Sequence, residues 1–324
     1  MVTVIDETDK VVAEKRLPND LTKILALLEP HRDELSGIVV ESTFNWYWLV
    51  DGLQEAGYTV HLANTTAIKK YDGLKHSGDE TDARHLAHLL RLGILPTGTI
   101  LAPEQQAVRD LARKRMQLIQ TRTTQILSIE TILSRTTGKR LTSNQVKRLT
   151  IADLPALGLH ADITLSLQAH VAIIEVLQLQ IAELEKRLQN KVAQEDDFKR
   201  LMTVPGIGTV LATMIYLETG PIDRFAGPGN YASYARCVSS EYTSNGKKKG
   251  QGNTKNGNKY LAWAFVEAAV YSTRFCPQAK RFYERKKAKA NTALAVKALA
   301  HKLARACYHI LKQREPFQMD RCFA

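Results

Sequence analysis

Three carboxylates in this sequence stand where they could share one task. Glu41 ends the apolar run Gly37-Ile-Val-Val-Glu41, which reads as a buried strand, and strand ends are where α/β folds place functional groups. Asp79 and Asp82 open the helical run Asp79-Glu-Thr-Asp-Ala-Arg-His-Leu-Ala-His88, and their i, i+3 spacing puts both on one helix face. Carboxylates held together repel one another. A hard divalent cation, Mg²⁺ or Mn²⁺, relieves that repulsion while orienting a phosphate. A structural account competes for Asp79 and Asp82, because acids favour the first helical turn and Asp79 could serve as a cap. For Glu41 that account is weaker, since a lone carboxylate at the end of an apolar strand needs a partner. His85 and His88 share the helix without a clear ligand geometry and read as surface or packing residues.

A second chemical candidate lies in the stretch Val238 to Tyr260, which holds hydroxyls, glycines and lysines and almost no apolar side chains. Lys247, Lys248, Lys249, Lys255 and Lys259 face a single acid, Glu241, so the expected partner is polyanionic, with nucleic acid the obvious candidate. Ser239, Ser240 and Ser244 lie at the start of this basic run, where a hydroxyl could meet a phosphodiester. The alternative is a solvated loop with no further role.

The elements that would position these groups fall into an order. Val2 to Ile5 and Val11 to Lys15 read as two strands about a turn, Asp20 as the cap of a helix through Leu28, Phe44 to Ala56 as a helix, and Thr59 to Leu62 as a strand. Strands alternating with helices of this length argue for an α/β layer that ends near Pro96 to Pro103. Beyond it the periodicity is helical. Glu104 to Arg135 reads as one long amphipathic helix and Asp162 to Val192 as a second. In the second, Ile174, Leu177, Ile181, Leu184 and Leu188 form a coiled-coil seam that could meet the preceding helix or, the preferred reading, a second copy of the chain. Leu201-Met-Thr-Val-Pro-Gly-Ile-Gly208 before an apolar helix has the form of a helix-hairpin-helix, where the Gly206 and Gly208 amides could hold a DNA phosphate. A simple core turn is the other reading. Two more helices, from Lys259 and from Asn291, close the chain.

Composition bounds the function. With 324 residues, 44% of them hydrophobic, the chain can bury real cores and is not of the disordered class. The net charge of +12 is uneven: Arg274 to Arg314 holds twelve Lys or Arg against one acid, Glu284, the footprint of a nucleic-acid partner. Cys237, Cys276, Cys307 and Cys322 are too widely spaced for a zinc or disulfide framework. With neither a leader nor an apolar run approaching the roughly 18 residues of a membrane span, a cytoplasmic protein without a membrane partner is expected.

Four ordered signals now stand together: Glu41 in VVEST, the DxxDAR run from Asp79 to Arg84, the VPGIG hairpin, and Tyr242-Thr-Ser244 ahead of NGNKYL. With them the chain resembles, over essentially its whole length, insertion-sequence transposases of the one-hundred-and-ten type and their pilin-gene invertase relatives. The resemblance implies an α/β plus α architecture. Residues 1–102 would form an RNase H-like (RuvC-like) domain with a DEDD acidic tetrad, 103–195 a coiled-coil connector, and 196–324 a mainly helical serine transposase domain. It further implies that Glu41, Asp79 and Asp82 are the second, third and fourth acids and bind metal, and that Ser244 is the nucleophile forming a phosphoserine with DNA. A structured guide RNA from the element and a homo-oligomer, dimer or tetramer, would be the other partners.

In this family the first acid lies on an opening strand of the Gly-Ile-Asp type, which the sequence does not show before Val2-Thr-Val-Ile5. Asp6 sits at a turn and does not inherit that role. Two other functions remain in view: a catalytically inactive nucleic-acid-binding remnant, and a metal-dependent junction-resolving nuclease that uses no serine.

Overall fold

A computed structural model describes residues 1–68, 78–239, 242–250 and 256–323, with Tyr242 and Lys248 described by their backbone only. It is mostly helical with small sheets, and divides into two compact units, Met1–Pro103 and Glu104–Ala324.

In the first unit β1 (Val2–Ile5) and β2 (Val11–Lys15) pair antiparallel, as their β-branched runs predict. Asp6 closes the turn between them, accepting from the Thr8 amide and hydroxyl, each at 2.8 Å, and from the Lys10 amide at 3.0 Å. Helix α1 (Leu21–Leu28) is capped by Asp20, which accepts from the Lys23 amide at 3.3 Å. Strand β3 (Ile38–Glu41) leads through α2 (Tyr47–Glu55) to β4 (Val60–Ala63), which lies parallel to β3 and antiparallel to the short β5 (Thr97–Gly98). Helix α2 starts three residues later than the sequence predicts, leaving Phe44 exposed. Between β4 and β5 comes α3 (Asp79–Arg91). Ile24 and Leu28 of α1, Val50 and Leu53 of α2, and Val4, Val40, Val60 and Leu62 of the strands share one core. Among the described residues β1 bonds only to β2, and β3 only to β4, so one edge of each stays unpaired.

The second unit opens with α4 (Pro103–Thr137), α5 (Ser143–Val146) and α6 (Ala161–Val192). Helices α4 and α6 run antiparallel, since Arg115 Nε donates to Glu185 at 2.9 Å while Gln125 Oε1 lies 2.6 Å from His170 Nδ1. The seam of α6 is satisfied inside the chain, against the preferred expectation of a second copy. Leu167, Val171 and Ile174 pack with Ile126, Ile129 and Leu133, and Leu188 and Val192 share a core with Ala112. A helix of this length has α4 available at every turn, so intrachain burial needs no association step. Contrary to the sequence-based expectation, α6 is long and apolar enough, by length and composition alone, to cross a membrane.

The rest of the unit is a helical domain: α7 (Asp196–Leu201), α8 (Thr209–Thr219), α9 (Pro228–Tyr234), the hairpin β6 (Tyr242–Ser244) and β7 (Lys247–Gly250), α10 (Lys259–Phe275), α11 (Pro277–Lys289), α12 (Thr292–Gln313) and α13 (Met319–Phe323). Ala264, Ala268 and Ala269 of α10 and Ala300 and Ala304 of α12 are fully buried in one core with Tyr231 and Phe265. Small faces of this kind let helix backbones approach closely around the large aromatic rings.

Candidate active site

The acids expected from the sequence line one cavity. A cleft of about 1120 Å³ in the first unit is lined by β1, β3 and α3, and its walls carry Glu41, Asp79 and Asp82. Each is placed by its element: Glu41 ends β3, while Asp79 and Asp82 stand in the first turn of α3, where the helix dipole favours negative charge. Asp79 lies 3.6 Å from Arg16, both side chains being largely exposed. Asp82 differs, because its Oδ1 is buried and has no hydrogen-bond partner. A buried carboxylate oxygen without a donor is costly, and a cation is one group that would satisfy it. The three acids share the cleft without closing into a metal cage: no group of three His, Cys, Asp or Glu side chains near enough to hold a metal occurs among the described residues.

Asp6 also lines this cleft, yet its carboxylate is committed to the turn. The Thr8 hydroxyl and then the Thr8 amide hold its carboxyl below the usual carboxylate range.

Sequence reasoning missed what fixes α3 at the cleft. Glu14 of β2 accepts from Thr3 Oγ1 and from Arg84 Nε, each at 2.8 Å, and pairs again with Arg84 Nη2. Asp9 in the hairpin turn accepts from Arg91 Nε at 2.7 Å and Nη2 at 2.6 Å, with His88 Nδ1 at 2.7 Å. Arg84, His88 and Arg91 recur at i, i+4 and i+7, so one face of α3 grips the hairpin while Asp82, Leu86 and Leu90 face the cleft. The Arg84 hydrogen bonds pull the Glu14 carboxyl down to about 2. That helical spacing was the available signal; the acids opposite lie 70 to 82 residues away in the chain.

Ser244 occupies the last residue of β6, exposed, directly before a two-residue turn. Asn245 (φ 50°) and Gly246 (φ 70°) both take positive φ, as a hairpin of this twist demands. The basic stretch is therefore a hairpin over these residues, with Lys247, Lys248 and Lys249 on β7 and Ser244 opposite Lys247. Lys247 and Lys249 are exposed, Lys259 lies 5.1 Å from the Tyr260 ring, and Lys255 falls outside the described residues. The ends of the stretch are clasped. The Asn258 amide donates to Tyr234 O at 2.6 Å, and Arg236 donates to Gly257 O through Nε at 3.0 Å and Nη2 at 2.8 Å. Asn258 caps α10 by accepting from the Tyr260 and Leu261 amides, while its Nδ2 donates to the buried Glu218 at 2.7 Å.

The Val204-Pro-Gly-Ile-Gly208 turn divides in two. Gly206 (φ 88°) presses on α10, where a Cβ would fall 2.4 Å from Ala268 O and 2.6 Å from the Ser272 amide nitrogen. Its bare Cα serves packing. Gly208 stands at the start of α8 with nothing within 4 Å of a built Cβ.

With this geometry in view, comparison with known proteins is informative. Residues 1–137 match a family model for transposases of the DEDD IS110 type, and residues 198–284 match the transposase IS116/IS110/IS902 family. A probable family 20 transposase of Pseudomonas aeruginosa is 26% identical over 236 residues, covering 71% of this chain and 69% of that protein. The transposase for insertion sequence element IS1328 of Yersinia enterocolitica is 30% identical over 142 residues, 43% of this chain and 42% of its own. The transposase for IS1111A of Coxiella burnetii is 23% identical over 275 residues, 82% and 72% respectively. The two matched segments contain, between them, Glu41, Asp79, Asp82 and Ser244.

Proposed function

Since the chain belongs to the IS110 family of insertion-sequence transposases, we propose that it cuts and rejoins DNA through Ser244, with Glu41, Asp79 and Asp82 as a metal-binding acidic site. The observation that carries the serine's role is its place: exposed, beside a two-residue turn, opposite Lys247 on a basic hairpin within a loop whose ends are clasped.

In this reading the Ser244 Oγ attacks a DNA phosphorus, an O–P bond forms, the bond to one deoxyribose oxygen breaks, and that oxygen leaves with a proton. Attack by a hydroxyl of another strand on the phosphoserine then restores Ser244 and completes the exchange. Lys247, Lys248, Lys249, Lys255 and Lys259 neutralise backbone phosphates near the scissile bond, and the amides at Gly206 and Gly208 bear on the duplex backbone as part of a helix-hairpin-helix. Of the two glycines, Gly208 is the better placed, because Gly206 is engaged by α10.

The acids fit a cation by the chemistry of three carboxylates on one cleft and by the unsatisfied Oδ1 of Asp82. A divalent ion such as Mg²⁺ held there supplies positive charge to a phosphate oxygen. The edges of β1 and β3 that are unpaired among the described residues belong to strands lining the same cleft, where a further strand bearing the family's first acid would complete an RNase H-like sheet.

The parts expected from the sequence, residues 1–102, 103–195 and 196–324, remain the working division, with the α4–α6 hairpin as connector. A structured RNA from the element selects the target by pairing, which suits a chain with several basic regions. Self-association uses the outer face of α6, where Leu165, Ile173, Val176 and Leu179 are exposed along one stripe.

The test is strand exchange on element-end DNA with parent, Ser244→Ala and Asp82→Ala chains, resolving protein–DNA adducts on denaturing gels. The expected result is loss of adduct and exchange in Ser244→Ala, and loss of both with binding retained in Asp82→Ala. Cleavage that persists without Ser244 points to a metal-activated water, the chemistry of a junction-resolving nuclease. Products unchanged in both variants overturn the reading.

A further inference from the structure

A second cavity, of about 890 Å³, lies in the helical domain among α11, α12, α13 and the residues that precede β6. Its wall on α12 carries Lys297, His301, Arg305 and His309, four residues apart in succession, with Lys302 beside them. Lys302 and Arg305, three residues apart, are like charges on neighbouring turns of α12, and an anion seated there would relieve their repulsion. Among the described residues the lining holds one carboxylate, Glu315, and Arg321 already pairs with it at 3.2 Å. Among the described residues no acid lies in ion-pair distance of Lys297, Lys302 or Arg305. Burial, then Arg305 and Lys302, hold the His301 imidazole below its ordinary pKa, which reports the same positive field.

The rest of the wall is of another kind. Leu294 and Ala298 are apolar, and the ring of Phe282 lies 5.3 Å below the Lys302 ammonium and 5.7 Å from that of Lys286. Cations over an aromatic face beside apolar surface suit a nucleotide, whose base needs a flat apolar surface and whose phosphate needs positive charge. A duplex keeps its bases stacked inside, so the cavity favours single strands. Val238 and Ser239 also line it, and they lead into the hairpin that bears Ser244.

We infer that this cavity seats a segment of single-stranded nucleic acid, with its backbone on Lys297, Lys302 and Arg305 and one base against Phe282. The inference rests on nucleic acid as the partner of the chain, and not on the chemistry of Ser244. A strand held here lies beside Ser239, five residues before the serine in the chain.

The test uses the full chain and labelled twenty-nucleotide probes, oligo-dT, oligo-rU and a duplex, with anisotropy read across salt concentrations. Lys297→Glu/Arg305→Glu should weaken single-strand binding about tenfold or more and lower the salt slope by roughly 0.7 for each phosphate no longer neutralised. Lys280→Glu/Lys289→Glu, which removes the same charge outside the cavity, should change binding far less. A 2-aminopurine base in the single strand should be quenched by the parent and not by Phe282→Leu. The dT and rU arms tell whether DNA or RNA is the natural occupant. Equal losses in the two charge variants, or duplex binding weakened as strongly as single-strand binding, overturn the proposal. Probe binding is read without element-end DNA or strand exchange, so a failed serine mechanism leaves this result standing and is read separately.

Discussion

Glu218, fully buried on α8, receives both nitrogens of one edge of the Arg113 guanidinium, Nε at 2.6 Å and Nη2 at 2.8 Å, and so ties α4 to the helical domain. The same carboxylate accepts from Asn258, the residue that ends the serine-bearing stretch and caps α10. Removing one partner of such a pair strands the other in a dry interior. Arg113→Ala should therefore destabilise the chain by about 3 to 5 kcal/mol, and Glu218→Gln should cost less because it keeps the Asn258 hydrogen bond in part. Denaturant unfolding of the two variants checks this, and near-parent stability of Arg113→Ala would refute it.

The grip of α3 on the β1–β2 hairpin predicts a pH dependence. Glu14 titrates near 4.5 in an unfolded chain and at about 2 when folded, chiefly through the hydrogen bonds from Arg84 and then Thr3. Between those values the unfolded state takes up a proton that the folded state refuses. The stabilisation is thus complete above about pH 4.5 and is lost as pH falls toward 2. In a Trp263→Phe background, Trp46 and Trp48 report on this unit, and Glu14→Gln should flatten the acid fall of its melting midpoint. Identical pH profiles for parent and variant would exclude the contribution.

Gly206 carries two penalties for any side chain. Its φ of 88° disfavours a Cβ, and that Cβ would meet the Ala268 carbonyl oxygen at 2.4 Å, a backbone atom that cannot swing away. Gly206→Ala should cost about 3 kcal/mol or more, by strain and by separation of the turn from α10. Gly208→Ala meets nothing within 4 Å and should leave stability nearly unchanged. The pair separates packing from phosphate binding: weaker DNA binding by Gly208→Ala at unchanged stability would locate a backbone interaction at the start of α8.

What was legible beforehand follows the range of the interactions. Glu41 at a strand end and Asp79 and Asp82 in a first helical turn are local patterns, and each stands where the pattern put it; the α6 seam is helical as its spacing predicts, but its partner is α4 and not a second copy. The β6–β7 hairpin was missed because its strands are lysines, glycine and hydroxyls with no apolar alternation, although Asn245-Gly246 is a strong turn signal. Helix α11 escaped for a similar reason: its apolar side chains are few, and lysines and arginines dominate its surface. The pairs Glu14–Arg84, Asp9–Arg91 and Arg113–Glu218 join residues 70 to 105 apart, and no spacing rule reaches that far.

The last prediction concerns association. The buried side of α6 is consumed by α4, but Val176 and Leu179 remain 60% and 71% exposed on the outer stripe with Leu165 and Ile173. A run of branched apolar residues in water is a liability unless it is covered, and these four share one side of α6 over about four turns. Val176→Glu/Leu179→Glu places two charges at its centre without touching the α4 seam. Light scattering should show the parent as an oligomer and the variant shifted toward the monomer mass, with helix content and melting midpoint preserved. A parent that is monomeric, or a variant that keeps the parent's mass, would leave the stripe without this role.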